Sequence, residues 1–338
     1  MREAGVSQMR CVACGAEGVL FYEGLRDVRF GLEGVFSMRR CRRCDLLWLD
    51  PLPELFPEEK YSYPASCAGE TAHRPLDGLR QRVRRMILCG FYGYDMPGRT
   101  RADIFWGKTL GLLPWLRQRA TWDLGALLPP APERPGALAV DVGCGEGNYL
   151  AIVKSLGWRV RGIEPQPQGA AAARRRGIDV FEGIPAEAKI EDGSADWVTL
   201  IHVLEHTPDP AGILGTVFRW LRPGARLALR VPNVLSLGHR RFGRRWYLLD
   251  PPRHLFGFAP KSLRLLLSRF AFKRIQVRIL TKAAGSAFDH STRIRRDGRT
   301  DPCLSRREKG RGWFVFQEEL LCRFGLPAGE EIEVVATK

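Results

Sequence analysis

The chain has 338 residues, 45% of them hydrophobic and 27% charged, enough for about two domains with a real core and not a disordered tail. Its net charge of +16 is concentrated, because Val234–Gly312 holds 20 Lys and Arg against 5 Asp and Glu; such a surface attracts nucleic acid, an anionic membrane face or phosphorylated small molecules, or is simply solvated. No run approaches the ~20 apolar residues of a membrane span, and Met1–Arg10 lacks the apolar core of a secretory leader, so a cytoplasmic location is expected.

The nine cysteines are an odd number, which without an export signal argues against a disulfide framework. Four of them have a metal-ligand spacing: Cys11-Val-Ala-Cys14 and Cys41-Arg-Arg-Cys44 are two C-x2-C pairs with 26 residues between them. Each pair fits a tight knuckle with both sulfurs facing one point, and two knuckles complete a tetrahedral site of four thiolates, which suits structural zinc. The glycine-rich segment between them reads as short strands and turns, so residues 1–50 are expected to be a zinc-ribbon-like module.

Leu46–Pro64 is proline-rich and aromatic and reads as an ordered linker, with Tyr61 and Tyr63 either packed on the core or reaching a substrate cleft. Arg80–Trp122 mixes basic and apolar residues at helical spacing. Two readings stand: helices that pack on the next domain as a lid, or a surface in peripheral contact with lipid. Pro129, Pro130, Pro132 and Pro135 close this region, giving boundaries of 1–50, 51–135 and 136–338.

From Gly136 strands and helices alternate. Strands are expected at Leu138–Val142, Arg159–Ile163, Asp179–Phe181, Trp197–Ile201 and Arg226–Val231, and helices at Gly147–Leu156, Gln168–Arg176 and Pro210–Leu221. This pattern predicts a doubly wound parallel α/β sheet. Lys273–Leu280 and Glu331–Ala336 are β-rich and would pair antiparallel at one edge, with Ala284–Pro327 inserted; Arg293–Arg311, polar and basic, reads as a loop.

The most informative stretch is Val140-Asp141-Val142-Gly143-Cys144-Gly145-Glu146-Gly147, a strand that ends in a glycine turn and opens a helix. Glycines let a ligand approach the backbone closely. The spacing is G-x-G-x-G and not the dinucleotide G-x-G-x-x-G. Asp141 stands where an acid can reach a ligand's amino group, and Glu164, at the end of the second strand, where a carboxylate can accept two ribose hydroxyls.

The sequence here resembles a class I S-adenosyl-L-methionine-dependent methyltransferase. Val-Asp141-Val-Gly143-Cys-Gly145-Glu-Gly147 resembles the family's first motif, Gly-Ile-Glu164-Pro165 its second, and Asp196-Trp-Val-Thr-Leu-Ile-His202-Val-Leu-Glu205-His206 its fourth-strand motif. Leu221-Arg-Pro-Gly224 and Val231-Pro-Asn233 resemble the segment after it. The resemblance implies a seven-stranded Rossmann-like sheet. It implies that Asp141, Gly143, Cys144, Gly145 and Gly147 cradle the methionine part, Glu164 and Pro165 meet the ribose side, Ile184 flanks adenine and His202 lines the floor under the sulfonium. Glu182 and Glu187 both flank Gly183-Ile184-Pro185, so the family's acidic residue at this turn is not singled out. An N-terminal zinc ribbon on such a domain is similar to methyltransferases of bacterial glycan and secondary-metabolite pathways.

Transfer to an alcohol needs a base as well as alignment. His202, His206 and His254 are the candidates, while His202-x-x-Glu205-His206 also offers mixed ligands for a divalent metal, as related methyltransferases do in an acidic version. Trp246 and Tyr247, among Arg240, Arg241, Arg244 and Arg245, are candidates to meet an anionic substrate or form a solvated loop. The expected function is methylation of a small molecule, at the oxygen of a sugar, glycan or lipid-linked intermediate. Carbon methylation of a nucleotide-linked keto-sugar is the alternative within enzymes. A zinc-ribbon nucleic-acid-binding protein is the alternative of another class, disfavoured because the ribbon's own charges are mixed. The acceptor and the oligomeric state are left open.

Overall fold

The structure is a computed structural model that describes residues 10–52, 78–121, 127–301, 303 and 306–338. In chain order it contains β1 (Gly18–Leu25), β2 (Phe36–Cys41), β3 (Leu47–Asp50), α1 (Gly78–Gly90), α2 (Arg101–Leu110), α3 (Pro114–Ala120), β4 (Leu138–Val142), α4 (Asn148–Ser155), β5 (Arg159–Glu164), α5 (Pro167–Arg175) and β6 (Asp179–Glu182). There follow β7 (Ala195–Ile201), α6 (Pro210–Trp220), β8 (Leu221–Pro232), α7 (Leu237–Phe242), β9 (Phe256–Gly257), α8 (Pro260–Ser268), β10 (Lys273–Leu280), α9 (Ala284–Asp297), α10 (Arg311–Arg323) and β11 (Glu331–Thr337). Seven strands form one sheet in the order β10-β11-β8-β7-β4-β5-β6, and four form a second in the order β1-β2-β3-β9. The larger sheet is the Rossmann-like α/β sheet that the alternation of elements predicts.

The chain divides into two compact units. One comprises Gly69–Thr199 and Arg219–Ala228. Its β4, β5 and β6 pair in parallel. All five residues of β4 are buried, as expected of a strand covered on both faces. Asp196, buried in β7, is neutralised by Arg134 and Arg222 and accepts the backbone N–H of Leu138 at 2.8 Å. Helices α1–α3 lie in the expected region, while Trp122, Tyr61, Tyr63 and His73 fall outside the described residues.

The other unit comprises Met1–Ala68, Leu200–Phe218 and Leu229–Lys338. Strands β1, β2 and β3 form an antiparallel meander, and β3 continues into β9, with Leu47 opposite Gly257 and Trp48 opposite Phe256. Strands β10 and β11 pair antiparallel as the sequence predicts.

Three readings change. Strand β8 starts at Leu221, directly after α6 and five residues before the expected Arg226, and Gly224, at φ 83°, lies among its first residues. Arg293 lies in α9 and not in a loop, because its guanidinium is buried and paired with Glu308 at 3.2 Å, and Asp289 of the same helix pairs with Arg311 at 2.6 Å. Cys303 is disulfide-bonded, which the cysteine count does not anticipate.

Candidate active site

The glycine turn belongs to the first unit. Gly143, Gly145 and Gly147 have φ of 70°, 52° and 77°, the left-handed region that side chains disfavour. The N–H groups of Gly143 and Cys144 donate to the Ile163 carbonyl at 2.7 and 3.1 Å, which fastens the turn to the end of β5. Glu164 is buried; one carboxylate oxygen accepts the N–H of Gly145 at 2.7 Å and the other that of Gln166 at 2.9 Å. A Cβ on Gly145 would meet nothing within 4 Å, so the turn presents bare backbone to open space and fits an amino-acid tail.

Asp141 is 3% exposed and accepts the Thr199 hydroxyl at 2.6 Å. Burial pushes its carboxyl up to about 7, against the pull of Thr199 and with the added push of Glu164. Cys144 is buried against Gly162, and its thiol is pushed up by burial, so it packs and does not react. Pro165 is half-buried and Ile184 is exposed, the latter beside Gly183 at φ 145°. Glu182 is taken by Arg174 at 2.8 Å.

The histidines belong to the second unit. His202, at φ 55°, is held between Glu205 at 3.2 Å and Glu331 at 2.9 Å. Burial opposes its charge, but these two carboxylates overrule it and raise the pKa to about 10. A base must be unprotonated, so this ring is a fixed cation and a poor base. His206 Nδ1 donates to the Arg253 carbonyl at 3.0 Å and His254 Nδ1 to the Leu248 carbonyl at 2.8 Å, a tautomer assigned from those carbonyl acceptors. Nε2 of each ring is then the acceptor nitrogen. Burial and the neighbouring His206 lower His254 to about 4, so its ring is neutral. Glu205 is fully buried, and its second oxygen has no hydrogen-bond partner among the described residues. Ligand atoms of Glu205, His206 and His254 lie within 4.8 Å of one another. The three-residue cluster therefore swaps His202 for His254 relative to the sequence reading.

Behind it, Arg253 is 1% exposed and donates to Asp27 at 2.7 and 2.9 Å and to Asp250 at 3.1 Å, while Asp250 also receives Arg29. Sequence reasoning gave no role to Asp27, Thr199, Arg253 or Glu331; of these, Thr199 lies in the Asp196–His202 stretch that resembles the fourth-strand motif. Trp246 is buried and donates to Glu330 at 2.6 Å, so it supports the loop and does not face a substrate, and Tyr247 accepts from Arg29 at 2.8 Å.

The four thiols sit on matched knuckles. The N–H groups of Cys11 and Gly15 bond Ala16 and Cys11 carbonyls, and those of Cys41 and Asp45 bond Leu46 and Cys41 carbonyls in the same way. Gly15 at φ 71° and Asp45 at φ 63° close the two turns alike. Sulfur separations of 3.5 Å for Cys11–Cys44, 3.4 Å for Cys14–Cys41 and 3.7 Å for Cys14–Cys44 approach the edge of about 3.8 Å expected for zinc–sulfur bonds of about 2.3 Å.

Residues 116–277 match the model of a family described as a methyltransferase domain. A protein of transposon TN4556 from Streptomyces fradiae is 37% identical over 136 residues, 36% of this chain and 39% of that one. A ubiquinone biosynthesis O-methyltransferase of Xanthomonas oryzae pv. oryzae is 34% identical over 105 residues, 29% of this chain and 44% of that one. The chain thus spans about two fifths of the length of these relatives. A solved S-adenosylmethionine-dependent methyltransferase from Archaeoglobus fulgidus is 18% identical, covers 60% of this chain and 86% of its own, and superposes with a TM-score of 0.43.

Proposed function

We propose, from the premise that residues 116–277 form a class I S-adenosylmethionine-dependent methyltransferase domain, that this chain methylates a hydroxyl oxygen of a small molecule, a sugar, glycan or lipid-linked intermediate. The observation that supports the oxygen assignment is the pair of imidazoles whose Nδ1 groups are committed to backbone carbonyls, clustered with Glu205, one of whose oxygens has no hydrogen-bond partner among the described residues. The relatives named as O-methyltransferases support the same reading.

On the donor side, Asp141 faces the amino group, Gly143, Cys144, Gly145 and Gly147 shape the cradle, Glu164 holds the ribose hydroxyls with Pro165 on the same side, and Ile184 borders the adenine. The bound donor supplies an activated methyl group on sulfur, so the protein's work is to align the acceptor and exclude water. On the acceptor side, His206 or His254 takes the hydroxyl proton at Nε2, and His202 serves as a charged prop. Glu205, His206 and His254 form a mixed nitrogen and oxygen donor set; a divalent cation there would acidify the hydroxyl by its charge. The cysteine knuckles hold a structural zinc, and the segments 1–50, 51–135 and 136–338 are the module, the linker with its helices and the catalytic domain of a cytoplasmic enzyme.

The test is release of S-adenosylhomocysteine across a panel of hydroxylated sugars, polyprenyl phenols and nucleotide sugars. His206→Ala and His254→Ala are each expected to lower the rate about 10²–10⁴-fold with donor affinity unchanged. Full rates in both remove the cluster from the reaction. A rate that needs added Mg²⁺ or Mn²⁺ after dialysis assigns the cluster to a cation, and one that does not assigns it to a base.

Asp141 makes donor binding depend on pH. Its raised pKa of about 7 keeps it protonated in acid, and it must ionise to face an ammonium. Calorimetric titration with S-adenosylhomocysteine is expected to show affinity falling about tenfold per pH unit below 7, with proton release on binding. Asp141→Asn should bind weakly with no such slope, and a wild-type profile flat from pH 6 to 8.5 would show that Asp141 does not meet the amino group. The same shift has an opposite effect on stability without ligand. The unfolded carboxyl ionises from about pH 4 and the folded one only near 7, so stability falls as pH rises through that window.

A further inference from the structure

We propose that the helical segment 78–121 docks on an anionic lipid bilayer. Its helices form a stiff pair. A Cβ on Gly107 would lie 1.8 Å from the Met86 carbonyl oxygen, so only glycine allows α1 and α2 to approach this closely. Thr100 caps α2 in a reciprocal box with Asp103, and Asp103 also pairs with Arg85 at 3.1 Å. The inner faces are filled by Ile87, Leu88, Cys89 and Tyr94, all buried.

The outer side does not follow the usual polar pattern. Phe105 is 64% exposed, Trp106 52%, Leu112 71% and Trp115 57%, and Leu79 and Leu113 are exposed with them. Scattered apolar residues on a surface need no explanation, but seven large ones within one short helical segment, Phe91 among them, do. Exposed Arg80, Arg82, Arg101, Lys108 and Arg119 lie in the same segment. Residues 78–121 hold nine Lys and Arg and two Asp. Both acids are already engaged, Asp103 by Arg85 and Asp95 by Arg99 at 3.0 Å.

Aromatic rings with leucines and a strong excess of arginine are the composition of a peripheral membrane surface, where rings and leucines enter the headgroup layer and arginines meet lipid phosphates. A cavity of about 350 Å³ in this segment is lined by Leu79, Val83, Ile87 and Trp115 together with Arg119, apolar walls for a lipid tail with a cation for its phosphate. The charge excess disfavours a second copy of the chain, which would bring like charges together. The leucines and the apolar cavity have no use against the polar backbone of a nucleic acid. Among the described residues no helix is long and apolar enough to cross a membrane, so the contact is peripheral.

Flotation of the full chain with vesicles tests this. Binding is expected to be at least tenfold tighter to vesicles of phosphatidylglycerol and phosphatidylcholine than to phosphatidylcholine alone, and to weaken in 0.5 M salt. The double variant Trp106→Glu/Trp115→Glu should lose at least tenfold of that binding while its melting temperature and its affinity for S-adenosylhomocysteine stay unchanged. Three results overturn the proposal: no vesicle binding, equal binding by wild type and variant, or a variant whose measurable loss is of RNA binding or self-association instead.

Discussion

Stripping metal from Cys11, Cys14, Cys41 and Cys44 is expected to unfold β1, β2 and β3 and lower the melting temperature by more than 10 °C. Structural zinc in isolated finger peptides contributes about 10–16 kcal/mol of apparent binding energy at neutral pH, which is as large as the entire stability of many domains. Here the three strands have 8, 6 and 4 residues, and their sheet is too small to bury a sufficient core by itself. The effect should reach the reaction, because β3 pairs with β9, which begins two residues after His254, and the Leu49 N–H donates to the Leu255 carbonyl at 2.8 Å. Metal analysis should find one zinc per chain, and Cys44→Ser should lose both the metal and the melting transition of the wild type. Metal-free protein with an unchanged melt in that variant would show that the knuckles stand without zinc.

Arg253→Ala is expected to destabilise the chain by about 3–5 kcal/mol, because it leaves buried carboxylates without their counter-ion. Burial alone would raise Asp27, but Arg253 and the N–H groups of Arg29 and Leu32 hold it at about 2. Asp250 is likewise kept ionised against burial by Arg29 and Arg253. A carboxyl with a depressed folded pKa contributes stability that is complete above about pH 4 and is lost as pH falls toward 2. Without Arg253 that contribution disappears, so the gap between variant and wild type should be widest at neutral pH and narrow in acid. Urea denaturation at pH 7 and at about pH 2.5 measures this. Adding Asp27→Asn to the variant should recover part of the loss by removing one stranded charge. Equal gaps at both pH values would mean that the loss is one of packing over Phe30, whose ring centre lies 4.6 Å from the guanidinium.

The parts of the fold legible in the sequence are those whose signal is local. Buried parallel strands read as apolar runs, so β4 is found to the residue and β5 to within one, and the turn from Gly143 to Gly147 carries its own spacing. The knuckles are legible for the same reason. Contacts between distant segments leave no such mark. Asp27 meets Arg253 across 226 positions, and Glu331 reaches His202 from a strand in which charged and apolar residues alternate. His202, read as a base, is flanked by Glu331 as well as Glu205, a pairing that favours its charged form. Of Arg293–Arg311, read as a loop, residues 293–297 fall in helix α9, which buries Ala284, Ala287, Phe288 and Ile294 and carries ion pairs from Arg293 to Glu308 and from Asp289 to Arg311. Trp246 looked like a surface residue among arginines because its acceptor, Glu330, lies 84 positions away.

The register in which Trp48 faces Phe256 has a bearing on how such chains can be shuffled. A module joined only by a linker can be deleted, transplanted or exchanged between genes as a cassette. Here the four-stranded sheet takes its last strand from a segment more than two hundred residues downstream, so a cut after Asp50 would expose an unpaired edge on both fragments. Recombination that preserves folding has to move both pieces together, and the front of the chain and the stretch around His254 are bound to evolve as one heritable block.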